Sequence, residues 1–184
     1  IYTVPFTWHF GVTELPTALA TSNIGPILKE NFSEVSEFVR FQRSGNTVVK
    51  SPLLLSQESR ILFSDSTFFE FFSFPLVEGN PNMALVEPYS IVITEKLALK
   101  YFGNDWRATS VLGRTLNVDG KEFEVTGLIT LPPDNGHIKF DGLASFSTLP
   151  ESQGNGNFDN SSYMTYVLTK DNIDINMLDQ KIDQ

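Results

Sequence analysis

The apolar positions of this chain change period several times, and each change marks an element. Ile1-Tyr2-Thr3-Val4 is β-prone, and Pro5 and Pro16 interrupt the segment that follows. Leu28 and Phe32 then recur at i,i+4 behind a Ser22-Asn23 cap, with Pro26 tolerated in the first turn, which predicts a short helix. Residues 35–43 read as a strand with Val39 and Phe41 facing the same side; Ser44-Gly45-Asn46 is a turn, and 47–55 returns as a second strand. Residues 60–63 form another short strand. Ser64-Asp65-Ser66 then caps a helix of about one and a half turns holding Phe68, Phe69, Phe71 and Phe72, which Phe74-Pro75 stops.

Further along, Glu78-Gly79-Asn80-Pro81 is a turn and 89–93 a strand. Thr94 caps a helix whose apolar face is Leu97, Ala98, Tyr101 and Phe102, with Gly103 where a left-handed C-terminal residue belongs. Asp119-Gly120 is the strongest hairpin signal; a two-residue turn there pairs Val118 with Lys121 and Leu116 with Phe123. The second arm places Phe123, Val125, Gly127 and Ile129 on one face and Glu122, Glu124 and Thr126 on the other. Residues 132–136 form a loop, 138–146 alternate again, and 151–160 are polar and rich in Gly and Asn, a mobile loop. Residues 162–169 form a strand with Met164, Tyr166 and Leu168 on one side, and Ile175, Leu178 and Ile182 make a helical stripe. Mixed strands with a few short helices, without regular βαβ alternation, predict an α+β fold.

Composition narrows the class. The 184 residues are 41% hydrophobic and 19% charged, as in a globular protein of one large or two small domains. There are 13 Lys+Arg against 22 Asp+Glu, a net charge of −9, which argues against nucleic acid and anionic lipid as partners. With no cysteine, disulfides, thiolate zinc sites and Cys nucleophiles are excluded. No stretch approaches the roughly 20 apolar residues of a membrane span; the densest, 68–77, is broken by Glu70, Ser73 and Pro75. The chain has neither an initiator Met nor a signal peptide, starts in what reads as the middle of a strand, and closes on what reads as a shortened helix, so it is expected to be a piece of something longer.

Few constellations carry chemistry. Asp134-Asn-Gly-His137-Ile-Lys-Phe-Asp141 holds one of two histidines between two aspartates, and reads either as a metal or general-base site or as a loop feeding a strand. His9, the second histidine, is far away in sequence. Asn172, Asp174 and Asn176 mimic the start of a calcium loop, but Met177 stands where the loop needs Gly and Asp183 where it needs a bidentate Glu. Nucleotide-binding and serine-hydrolase motifs are absent. Glu122 and Glu124 fall on a solvated strand face, and Asn31-Phe-Ser33 and Asn160-Ser-Ser162 match the N-glycosylation tripeptide. The six Phe residues of 63–74 form either an exposed aromatic patch or a small core; the core reading expects Phe69 and Phe72 buried and at least one of Phe68, Phe71 and Phe74 partly exposed.

These segments together resemble the extracytoplasmic domain of MacB/FtsX-type ABC transporter permeases, in the form abundant in Bacteroidetes. The residues that carry the resemblance are Ile1-Tyr-Thr-Val4, the segment 23–40, and above all the run from Asp65-Ser-Thr-Phe-Phe to Val77-Glu-Gly-Asn-Pro81. Ser90-Ile-Val-Ile-Thr-Glu95, Lys100-Tyr-Phe-Gly103, Gly113-Arg-Thr-Leu116, Phe123-Glu-Val-Thr-Gly127 and His137-Ile-Lys-Phe-Asp141 continue it in order. Ser33 departs from a usual Pro, and Gly136 from a more frequent Ser.

The resemblance implies two lobes: a porter-like α+β lobe from 1–63 and 131–184, and an inserted lobe from 64–130. It implies a non-catalytic domain between transmembrane helices one and two of an inner-membrane protein, lying in the periplasm and coupling helix movement to partners or cargo. It carries no catalytic residues, cofactor or metal. Its implied partners are the transmembrane helices of its own chain, a separate cytoplasmic ATPase and a periplasmic adaptor or substrate; the isolated domain is expected to be a monomer and the full-length protein a dimer. The rival expectation is a free-standing secreted binding module or hydrolase with its site at His137, Asp134 and Asp141.

Overall fold

The computed structural model describes residues 1–4, 6–10, 13–132, 136–153, 162–171 and 173–182, with 6, 8–10 and 13–16 as backbone. In chain order the strands are β1 (Tyr2–Thr3), β2 (Phe6–Phe10), β3 (Thr13–Thr17), β4 (Val35–Arg43), β5 (Thr47–Lys50), β6 (Leu55–Glu58), β7 (Ile61–Ser64), β8 (Leu76–Gly79), β9 (Ser90–Thr94), β10 (Thr115–Val118), β11 (Lys121–Ile129), β12 (Gly142–Ser145) and β13 (Tyr163–Thr169). The helices are α1 (Ile24–Asn31), α2 (Phe68–Phe72), α3 (Glu95–Phe102) and α4 (Ile175–Ile182). The fold is α+β, and the chain divides into two compact units, 1–40 with 156–184 and 41–155.

In the first unit β1 pairs antiparallel with β13, Tyr2 opposite Val167 and Thr3 opposite Tyr166, and β13 neighbours β4. Helices α1 and α4 close over this sheet: Leu28, Val35, Val167 and Leu178 are buried together, with Phe32, Phe38 and Ile175 packed around them. Asp174 starts α4, its Oδ1 accepting from the Asn176 backbone N–H at 3.0 Å. Pro16 does not break up its segment: it lies within β3, which forms a hairpin with β2, Trp8 opposite Leu15, while Pro5 lies outside the described residues. A two-stranded ribbon has edges on both sides, where a missing N–H is tolerated.

In the second unit the central strands are β12, β9 and β11. β9 pairs parallel with β11 and antiparallel with β12, and all five of its residues are buried. The apolar run Ile91-Val92-Ile93 belongs in such a doubly covered position. The Asp119-Gly120 hairpin has the expected register, with Val118 opposite Lys121 and Leu116 opposite Phe123. Both turn residues have positive φ, 48° and 85°, as a two-residue primed turn requires. Strand β10 lies along the start of β11 and β8 along its end. The α3 face carrying Leu97, Ala98 and Tyr101 packs into a core with Ile91, Ile93 and Phe123. Thr94 Oγ1 caps α3 by accepting from the Leu97 N–H, and Gly103 leaves the helix at φ +79°.

Several expectations need correction. The expected lobe boundaries at 63/64 and 130/131 are not where the units divide. β7 and β12 pair in parallel from Ile61 opposite Gly142 to Ser64 opposite Ser145, and β12 joins β9. Val49, Ile61 and Ala144 therefore share one core with Ile91 and Val125, and 64–130 is interleaved with its flanks. Residues 47–55 do not form one strand returning on β4. Ser51 Oγ accepts from the N–H groups of Leu53 and Leu54, which turns the chain before Leu55; β5 pairs with β10 and β6, while β4 pairs with β7. Of the alternating stretch 138–146, only Gly142–Ser145 is a strand, and it is buried on both faces.

The ring assignment changes as well. Phe68, Phe69 and Phe71 are buried and Phe72 is half-buried, because Phe68 sits at the centre of the cluster. It makes edge contacts with Phe41, Phe69 and Phe140 and stacks on Phe74 at 5.6 Å. Ser73, at φ +53°, ends α2 and swings Phe74 back over it. The Gly79-Asn80-Pro81 turn lies at the surface, as expected.

Candidate functional site

Of the three candidate residues around His137, the structure describes His137 and Asp141. His137 is exposed, and Asp134 lies outside the described residues, as do the side chain of His9 and residues Asn172, Asp183 and Asn160. Asp141 is 4% exposed. Its backbone bridges two strand ends, its N–H donating to the Arg60 carbonyl at 2.8 Å and its carbonyl accepting from Thr94 N–H at 2.9 Å. Its carboxylate takes Arg60 Nε at 3.0 Å and Nη2 at 2.8 Å, and Lys96 Nζ at 3.3 Å. A carboxylate held by a two-pronged guanidinium and an ammonium has its lone pairs committed. Asp141 locks β7, α3 and β12 together.

A second polar cluster ties β6 to α3. Glu58, 8% exposed, accepts at Oε1 from Lys100 Nζ at 2.5 Å and from the Tyr101 hydroxyl; Lys100 also reaches Ser56 Oγ at 3.0 Å. Burial, and then the carboxylate beside it, push the Tyr101 phenol well above the usual tyrosine range. The Tyr101 hydroxyl stays protonated and donates to Glu58, so the cluster pins α3 to β6. Asp174 is likewise spent on capping α4, with Met177 N–H a further donor at 3.4 Å. Glu122 and Glu124 are solvated, as their alternation predicts. Among the described residues no three His, Asp or Glu side chains gather to hold a metal ion.

Among the described residues both units carry concavities, and one in each has apolar side chains in its wall. In the first unit a groove of about 430 Å³ is lined by Val4, Leu28, Val167, Leu178 and Ile182, with Asp179 the charged residue of its wall. In the second a shallower concavity of about 290 Å³ lies between Met83, Leu112, Glu124 and Thr126. Sequence reasoning singled out neither. The available signal for the second was the spacing of Met83 and Val86, which puts both at the surface while Ala84 and Leu85 are buried.

Comparison with known proteins places this geometry. The family model described as the MacB-like periplasmic core domain matches residues 4–184. A domain of a protein assigned as a permease from Porphyromonas gingivalis superposes with a TM-score of 0.77 at 22% identity, over 92% of this chain and 70% of that one. The periplasmic region of MacB from Actinobacillus actinomycetemcomitans gives 0.65 at 14% identity, over 89% and 71%. The extracellular domain of the noncanonical ABC-type transporter YknZ from Gram-positive bacteria gives 0.60 at 20% identity, over 84% and 75%. No curated protein matches the sequence. Among the described residues no helix is long and apolar enough to cross a membrane.

Proposed function

This chain belongs to the family of MacB-like periplasmic core domains, and from that premise we propose that it is a non-catalytic coupling element, receiving the movement of transmembrane helices and passing it to partners or cargo outside the inner membrane. As a periplasmic domain of an ABC-transporter permease it works with a cytoplasmic ATPase, the partner the family implies. The chain carries no phosphate-binding loop, so the energy comes from that ATPase. A periplasmic adaptor or the substrate is the receiver, and the membrane helices impose dimerisation.

One observation carries this reading. Strand β4 is unbroken across the boundary of the two units: 35–40 belong to the first and 41–43 to the second. In the second unit the last residues of that strand pair with β7 as Phe41–Ser64, Gln42–Phe63 and Arg43–Leu62, which supports a reading in which a pull arriving along the chain at Arg40 reaches that sheet. The non-catalytic part of the reading rests on Asp141, whose carboxylate is engaged by Arg60 and Lys96.

The test is an insertion of Gly-Gly between Arg40 and Phe41 in the full-length permease reconstituted with its ATPase. Each unit keeps its own pairing, but the strand between them is slackened. ATP hydrolysis is expected to persist while export is lost. Export at the parental rate, with hydrogen exchange showing both units folded, would sink the proposal.

A further inference from the structure

We propose that the concavity between the turn after β8 and the turn before β10 is a docking site for a segment of a partner protein that presents one branched apolar side chain next to Lys or Arg. At about 290 Å³ and wide open to solvent, it does not enclose a small-molecule ligand and suits an anchoring side chain. The two residues that flank it are apolar and stand in solvent: Met83 is 56% exposed and Leu112 38%. Methionine adapts its shape to an incoming group at little cost.

Both walls are built before any partner arrives. On one side Asn80 organises the turn: its Oδ1 accepts from Asn82 N–H at 3.0 Å and its carbonyl from Ala84 N–H at 2.9 Å. Thr126 Oγ1 then ties the turn to β11 by donating to the Ala84 carbonyl at 2.5 Å. On the other side Ser110, at φ +51°, accepts at Oγ from Leu112 N–H at 3.2 Å and donates to Glu78 Oε2 at 2.6 Å. Gly113 N–H donates to the Val125 carbonyl at 2.8 Å, which fixes the base of that turn on β11. Rigid walls reduce the ordering that binding would otherwise require.

Charge selects the occupant. Glu124 lines the concavity and is exposed, and Glu122 lies on the same outward row of β11. No cation pairs with Glu124 among the described residues. A Lys or Arg beside the apolar anchor satisfies this carboxylate, whereas a second copy of a chain of net charge −9 is repelled. The site stands on the second unit alone and holds whether or not the coupling role does.

The test uses this 184-residue chain with methyl labels on Met and Leu and three blocked peptides as probes: Lys-Lys-Leu-Lys-Lys, Lys-Lys-Ser-Lys-Lys and Glu-Glu-Leu-Glu-Glu. The first is expected to give weak, saturable shifts at the Met83 and Leu112 methyls, reduced by added salt. The second and third are expected to give none. Glu124→Gln should weaken binding about two- to fivefold, the range of an exposed ion pair, and flatten the salt dependence. Met83→Ser should weaken it about tenfold as the loss of an anchor contact. Because Met83 is exposed, that variant keeps the test valid if Leu112→Ser disturbs the fold. Equal binding of the serine or the acidic peptide, shifts centred on the Leu28–Leu178 groove, or an unaltered affinity in both Glu124→Gln and Met83→Ser would each overturn the proposal.

Discussion

Arg60 and Asp141, 81 residues apart in sequence, hold each other through two parallel hydrogen bonds at 3.0 and 2.8 Å. Asp141 is almost fully buried, while the Arg60 side chain is 42% exposed, so the two partners do not lose equally when parted. Without Asp141 the guanidinium turns to water. Without Arg60 the carboxylate keeps only Lys96. Asp141→Ala is expected to cost about 1.5–3 kcal/mol, the range of charge-assisted hydrogen bonds. Urea unfolding checks this; a change below about 0.5 kcal/mol, the scatter of ordinary surface substitutions, would show that Asp141 is not a lock.

Tyr101 predicts a loss of stability at alkaline pH. Burial, and then Glu58, raise its pKa in the folded chain, while the unfolded phenol ionises near its ordinary value of about 10. The folded state resists a proton loss that the unfolded state accepts. Stability is therefore whole below about pH 10 and falls as pH rises beyond it. Burial raises Tyr166 in the same direction. Unfolding free energies between pH 8 and 11 (an approximate span chosen around the tyrosine value) should fall less steeply in Tyr101→Phe. They should fall less steeply still in the double variant with Tyr166→Phe. Parallel curves for all three proteins would contradict the assignment.

Phe68 is the ring whose removal should be felt most. It is fully buried and contacts Phe41, Phe69, Phe72, Phe74 and Phe140. Phe68→Ala should cost about 3–5 kcal/mol, the range for deleting a packed aromatic side chain. Phe72→Ala and Phe74→Ala, which remove half-buried rings, should each cost less. Denaturant melts of the three variants rank them, and an equal cost for all would mean that Phe68 is not the centre.

Gly120 isolates a backbone effect. Its φ is +85°, and an added Cβ would meet nothing within 4 Å. Gly120→Ala is then disfavoured by conformation alone, at about 1 kcal/mol, with no change in the packing of β10 and β11. Gly120→Asn should recover part of that, since Asn tolerates the left-handed region. Thermal unfolding of the pair measures it; an alanine variant as stable as the parent would mean that the turn relaxes.

The features legible in the sequence are those that a few neighbouring residues settle. Asp119-Gly120 set the register of β10 on β11 because positive φ at two consecutive residues leaves one tight turn. Thr94 and Gly103 bounded α3 because unpaired helix ends take a side-chain cap at one end and a chain reversal at the other, where Gly103 has φ +79° and ψ −170°, a glycine conformation but not the expected left-handed helical one. The motif runs were specific enough to carry the family resemblance over nearly the whole chain, and the family model matches 4–184. Asp141 was also singled out, in a stretch that reads either as a reactive site or as a loop feeding a strand, because nothing local tells a catalytic carboxylate from one about to meet Arg60.

What the tertiary structure decided is which distant segments meet. The pairing of β7 with β12 and of β12 with β9 moved the boundary between the units from 63/64 and 130/131 to 40/41 and 155/156. It also turned an alternating stretch at 138–146 into a short strand buried on both faces. The same long-range meetings put Phe68 rather than Phe72 at the centre of the rings, since Phe41 and Phe140 arrive from either side of it in sequence. Period, caps and turn residues act within a few positions along the chain. Strand neighbours, ion-pair partners and core centres are chosen by burial and hydrogen bonding among residues tens of positions apart, and those become neighbours only once the sheet has formed.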